Sequence, residues 1–162
     1  MKVALEISVP SALWRGLPRA RALARETIAA ALAESGFASE EGAEVSLCLA
    51  DDARLRALNL RWRGLDQPTN VLSFPAAPPG RPAGSITLGD IALSYETLAR
   101  EASELGVPLA DHYRHLVAHG FLHLIGYDHG KAKEAERMEA LETRILARLG
   151  AADPYARAVV GG

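Results

Sequence analysis

Asp111-His112-Tyr113-Arg114-His115-Leu116-Val117-Ala118-His119-Gly120-Phe121-Leu122-His123-Leu124-Ile125-Gly126-Tyr127-Asp128-His129 carries all five histidines of the chain. Its apolar spacing predicts a helix over Leu109 to Ile125, stopped at Gly126, where glycine takes a positive φ without steric cost. At about 100° per residue, His119 and His123 stand one turn apart on the same helical face. Two imidazoles so placed reach one zinc ion. His129 lies beyond the same face, but a chain reversing at Gly126 brings it back towards the same point. Three neutral imidazoles leave a tetrahedral ion one open position, the mark of a catalytic rather than a structural site.

Working outward, the flanking segments alternate between strand and helix patterns. Lys2 to Val9 alternates apolar and polar residues and predicts a half-buried strand ended by Pro10. Pro18 is expected to open a helix at its first position, with Ala20, Leu23, Ala24, Ile28, Ala31 and Leu32 at helical spacing up to Gly36. Val45 to Ala50 predicts a second strand, and Asp51 or Asp52 caps a helix bearing Leu55, Leu58 and Trp62 that stops at Gly64. A turn at Asp66-Gln67-Pro68-Thr69 precedes a short strand, Val71 to Phe74. Ala76 to Gly84 is rich in Pro and Gly and reads as a surface loop. Ile86 to Ser94 predicts a fourth strand, Tyr95 to Leu105 a helix, and Glu134 to Leu149 a last helix. That last helix shows Met138, Leu141, Ile145 and Leu149 on one face. The expectation is one α/β domain of α+β type over residues 1–162, with a small mixed four-stranded sheet packed by about five helices.

With 162 residues, 49% of them hydrophobic and 23% charged, the chain is long enough to bury a core and is not disordered in bulk. No apolar run approaches the ~20 residues of a membrane span, and Glu6 interrupts the first apolar stretch, unlike a secretory leader. The net charge of −2 excludes a polycation that coats nucleic acid, so any RNA contact needs a local basic patch. Arg54, Arg56, Arg61 and Arg63 form such a cluster, suited to phosphate through the planar guanidinium fork, although a solvated helix face is the more common explanation. The single cysteine, Cys48, forbids an internal disulfide and is expected to be a buried small hydrophobe in the cytoplasm.

The spacing His-x-x-x-His-x-x-Gly-x-x-His is that of metzincin metalloproteases, whose first histidine is followed by a glutamate acting as general base. Here that position is Gly120, so the peptidase mechanism lacks its proton acceptor. A mid-helix glycine costs about 1 kcal/mol relative to alanine. Its presence implies either close packing or room for a substrate. His115 is a candidate outer partner or substrate-facing group, although an ordinary surface or core histidine is the more common reading. Asp128 is a candidate acceptor for an imidazole N–H, or a turn residue, and Asn70 and Ser73 are candidate polar contacts in a cleft, with turn capping and sheet pairing explaining those two just as well.

The histidine motif with glycine at its second position, preceded by Arg63-Gly64-Leu65-Asp66-Gln67-Pro68-Thr69-Asn70-Val71-Leu72-Ser73-Phe74-Pro75 and Gly89-Asp90-Ile91, resembles the YbeY family of bacterial endoribonucleases. Met138-Glu139-Ala140-Leu141-Glu142 and Asp153-Pro154-Tyr155 extend the likeness towards the C-terminus. The resemblance implies a cytoplasmic protein with one Zn2+ per chain. It also implies His119, His123 and His129 as metal ligands, and Arg63 at RNA phosphate or at developing charge. The partners it implies are single-stranded RNA, ribosomal RNA and the small ribosomal subunit, with roles in 3′-end maturation and ribosome quality control. A non-catalytic ribosome-assembly factor with a structural zinc, and a hydrolase of peptides or small molecules, are the competing readings.

Overall fold

The computed structural model describes residues 3–37, 42–76, 87–128 and 130–155. Among them the order is β1 (Val3–Ser8), a 3-10 turn (Ala12–Gly16), α1 (Ala20–Ser35), β2 (Ala43–Ala50), α2 (Asp52–Arg63), β3 (Val71–Pro75), β4 (Thr87–Ser94), α3 (Tyr95–Leu105), α4 (Leu109–Leu124) and α5 (Ala132–Arg148). The strands form one sheet in the order β1-β2-β4-β3. β1 and β4 each run parallel to β2, and β3 lies antiparallel to β4, with Ser73 opposite Ile91. The expected mixed four-stranded sheet with five helices is therefore the observed α+β architecture.

Alternation explains the sheet's two faces. Val45, Leu47 and Leu49 of β2 and Ile91 and Leu93 of β4 point into the main core. There they meet Leu23, Ala24 and Ile28 of α1, Val117 and Phe121 of α4, and Met138 and Ile145 of α5. Among the described residues the opposite face carries a small cluster, Leu55 of α2 with Ala50, Leu72 and Ala92, flanked by Cys48, Leu58 and Phe74. Cys48 is thus half-buried on this thinner side rather than enclosed, because a strand's period of two turns it away from Leu47 and Leu49. Beside α2 this face opens into a groove of about 810 Å³ lined by Glu6, Cys48, Arg54, Trp62, Phe74 and Asp90 among others.

Several element ends differ from expectation. Pro18 does not open α1, which begins at Ala20 after Arg19 as N-cap. Pro18 sits in a turn following the 3-10 segment, which anchors Trp14. The Trp14 Nε1–H donates to the Ala50 carbonyl at 2.7 Å, and its ring meets Tyr95 and Tyr113 edge-on. Asp51, not Asp52, caps α2, its carboxylate accepting from the Arg54 N–H at 2.9 Å. α5 starts two residues before Glu134. Within the proline-rich stretch 76–84, residues 77–84 lie outside the described residues.

Candidate metal centre

α4 presents its histidines in a stripe along one side while Tyr113, Val117, Phe121 and Leu122 are wholly buried on the other. Successive ring centroids are 6.1 Å apart from His112 to His115, 6.4 Å to His119 and 4.6 Å to His123. The last pair is the closest, and its Nε2 atoms are 3.2 Å apart. A tetrahedral zinc ion with Zn–N bonds of about 2.0–2.1 Å holds two imidazole nitrogens about 3.3–3.4 Å apart. The two donors therefore fit zinc in chemistry and in spacing. Beyond them α4 ends at Leu124 and Gly126 takes φ +104, the reversal expected of a glycine there. The third expected ligand, His129, lies outside the described residues. Asp128 accepts from the Gly130 N–H at 3.1 Å, a turn contact.

Behind the histidines lies a carboxylate that the motif reading left without a role. Glu142 of α5 is 1% exposed. Its Oε1 meets His115 Nε2 at 2.5 Å and accepts from the Tyr155 hydroxyl at 2.6 Å, while its Oε2 lies 3.3 Å from His119 Nδ1. Burial alone would push this carboxyl up. The hydrogen bonds from His115, His119 and Tyr155, with the charge of His115, outweigh it and bring the pKa down to about 2. Burial and the neighbouring Glu142 carboxylate push the Tyr155 phenol up, so it stays a donor. The signal was present in the sequence. Glu142 stands four residues after Met138 and three before Ile145, which sets an acid on the apolar stripe of α5.

Asn70 and Ser73 both have hydrogen-bond partners in the framework. Asn70 donates to Glu101 at 3.0 Å and accepts from the Val71 N–H at 2.7 Å. Glu101 in turn meets His112 Nε2 at 2.9 Å. Ser73 donates to the Gly120 carbonyl at 3.1 Å. A cleft of about 450 Å³ between these groups is lined by Asn70, Val71, Glu101, His112, His115 and His119. Burial raises the Glu101 pKa, but the hydrogen bonds from His112 and Asn70 more than offset this and hold it below the ordinary value of 4.5. A carboxyl depressed by folding contributes stability above its unfolded pKa and loses it as pH falls through the folded one. Glu101→Gln is accordingly expected to flatten the fall in melting temperature of the metal-free protein below about pH 5. Identical acid limbs for variant and wild type would show that the pair carries no such linkage.

The arginine cluster does not act as one patch. Arg56 is held by Asp66 through contacts of 2.7 and 3.1 Å, and Arg61 lies over the Trp62 ring at 5.1 Å. Arg63 stands exposed on the last turn of α2, which packs on the face of β3 away from α4. No hydrogen bond or ion pair among the described residues joins it to the histidines.

The family model described as "Endoribonuclease YbeY" matches residues 16–150. The chain belongs to the YbeY family. A YbeY relative named Endoribonuclease YbeY, from Methylocella silvestris, is 50% identical over 155 residues, covering 96% of this chain and 87% of its own. A second of the same name, from Bradyrhizobium sp., is 52% identical over 155 residues, with 93% and 91% covered. A third, from Sinorhizobium medicae, reaches 60% over 119 residues, with 72% and 70% covered. The YbeY chain also shares its fold with a solution structure from Thermotoga maritima, at a TM-score of 0.57 and 22% identity over 90% and 91% of the two chains. No described helix is long and apolar enough to cross a membrane.

Proposed function

We propose that this chain is a zinc-dependent endoribonuclease that hydrolyses phosphodiesters of single-stranded RNA. It acts in the cytoplasm on the 3′ region of small-subunit ribosomal RNA and takes part in ribosome quality control. The observation that carries the reading is the pair of imidazole nitrogens 3.2 Å apart at the end of α4, in a chain whose relatives are named endoribonucleases. His119 and His123 hold the ion, and His129 is its third ligand. When bound, zinc supplies Lewis acidity at a phosphoryl oxygen and lowers the pKa of a water.

The chain's own residues do the rest. The Nε2 of His115 is engaged by Glu142 at 2.5 Å, so that nitrogen does not serve as the proton acceptor. Arg63 contacts RNA phosphate from the exposed end of α2, away from the ion itself. Gly120 keeps α4 close to the sheet, and the glutamate of a metzincin has no room there. That close contact weighs against the peptidase reading.

The test is cleavage of single-stranded RNA carrying the 3′ end of small-subunit ribosomal RNA, with wild type and His119→Ala purified identically. Cutting by wild type alone supports the proposal. Equal cutting by both exposes a contaminant. Cutting by neither favours an assembly factor whose zinc is structural. Arg63→Ala is expected to keep its zinc and lose about 10–100-fold in kcat/KM for RNA, the cost of one charge-assisted hydrogen bond to phosphate. Unchanged cleavage in that variant removes Arg63 from the site.

A further inference from the structure

Burying a carboxylate is expensive, and an apolar residue of similar volume at the same place often leaves a protein no less stable. Glu142 is nonetheless enclosed among Met138, Leu141 and Ile145, on the face of α5 that packs against α4. Stability alone does not account for an acid there. Its contacts do. His115 Nε2 and the Tyr155 hydroxyl both hold Oε1, so the carboxylate cannot rotate, and Oε2 is left turned towards His119 Nδ1.

We infer that Glu142 is the positioning residue of the metal centre, its Oε2 accepting from His119 Nδ1–H so that His119 offers Nε2 to zinc. The inference rests on the metal reading proposed above and extends it to a residue that does not touch the ion. An imidazole that donates at Nδ1 carries its lone pair at Nε2, the nitrogen 3.2 Å from His123 Nε2. The acceptor thus selects the tautomer, sets the ring plane and raises the basicity of the ligand. His115 and Tyr155 act one step further out. They hold Glu142, and their rings stack edge-on at 5.5 Å, which ties the segment after α5 to the site.

The experiment compares wild type, Glu142→Gln and His123→Ala, with zinc affinity measured by competition against a chromophoric chelator and cobalt(II) spectra recorded on the same proteins. Glu142→Gln keeps the shape but not the charge. It is expected to bind zinc about 10–100-fold more weakly, the range known for partners of metal-bound histidines, and to alter the cobalt d–d bands. The melting temperature of the metal-free variant separates this from a loss of fold. Nitrogen-15 imidazole spectra of the metal-free wild type give a second readout that needs no variant, with His119 expected as the Nδ1–H tautomer. Wild-type affinity in Glu142→Gln, or a His119 found as the Nε2–H tautomer, overturns the role of Glu142 while the metal reading stands. A wild type that binds no zinc overturns both. A loss of zinc in His123→Ala combined with wild-type binding in Glu142→Gln sets the two failures apart.

Discussion

Zinc is expected to be lost from His123→Ala, and RNA cleavage with it. Binding of a zinc ion by a small protein site is worth roughly 10–16 kcal/mol. Removing one of three ligands takes about a third of that, or roughly 10²–10⁴-fold in affinity. Dialysis against a mild chelator would strip such a site while leaving the wild type loaded. The fold itself should survive. His123 is half-buried at the end of α4, and its neighbours Leu122 and Leu124 keep the helix seated on the core. Elemental analysis after dialysis, beside a thermal melt of the metal-free form, separates the two effects. Full zinc occupancy in the variant would rule out His123 as a ligand.

Gly120→Glu is expected to unfold the protein rather than create a peptidase. A Cβ at Gly120 would stand 2.9 Å from Ile91 Cγ2, 3.1 Å from Ser73 Oγ and 3.4 Å from Val71 Cγ2. Ile91 is fully buried on the central strand β4 and has nowhere to retreat. Overpacking of this kind costs about 1–3 kcal/mol, and a carboxylate forced in without a partner adds several more. Together these approach the whole stability of a small domain, about 5–15 kcal/mol. Gly120→Ala gauges the steric part alone. It gains about 1 kcal/mol of helix propensity and meets the same Ile91 methyl, so its melting temperature should fall by only a few degrees or less. A soluble Gly120→Glu protein melting like wild type would show that α4 can lift off the sheet at this point.

Gly120 also illustrates how the sequence can pose a question that it does not answer. A glycine in mid-helix next to a candidate ligand signals either a tight contact or open space, and nothing within α4 distinguishes them. β3 and β4 supply the answer, because Val71, Ser73 and Ile91 come from segments about 30–50 residues earlier. The same holds for Asn70 and Ser73, which looked equally suited to a cleft or to the sheet. Their partners, Glu101 and the Gly120 carbonyl, become visible only when α3 and α4 are packed on the strands. At Pro18 the local rule was sound but was overridden. Trp14 is drawn onto the Ala50 carbonyl, and the chain needs a turn through Pro18 before α1 can begin.

What the sequence determined by itself is the local part. The period of two in β1 and β2, the helical period of α1, α4 and α5, a cap at Asp51 or Asp52 and the reversal at Gly126 all depend on residues within a turn or two of each other. So does the alignment of His119 with His123, which one helical turn enforces whatever surrounds it. The strand order β1-β2-β4-β3, the thin face that leaves Cys48 half-open, and the placement of α2 and α4 on opposite faces of β3 were decided by tertiary structure. So was the meeting of Glu142 with His119 across 23 residues. The physical reason is the same in each case. Backbone sterics and hydrogen bonding act over a few residues, whereas burial brings together groups that are far apart along the chain.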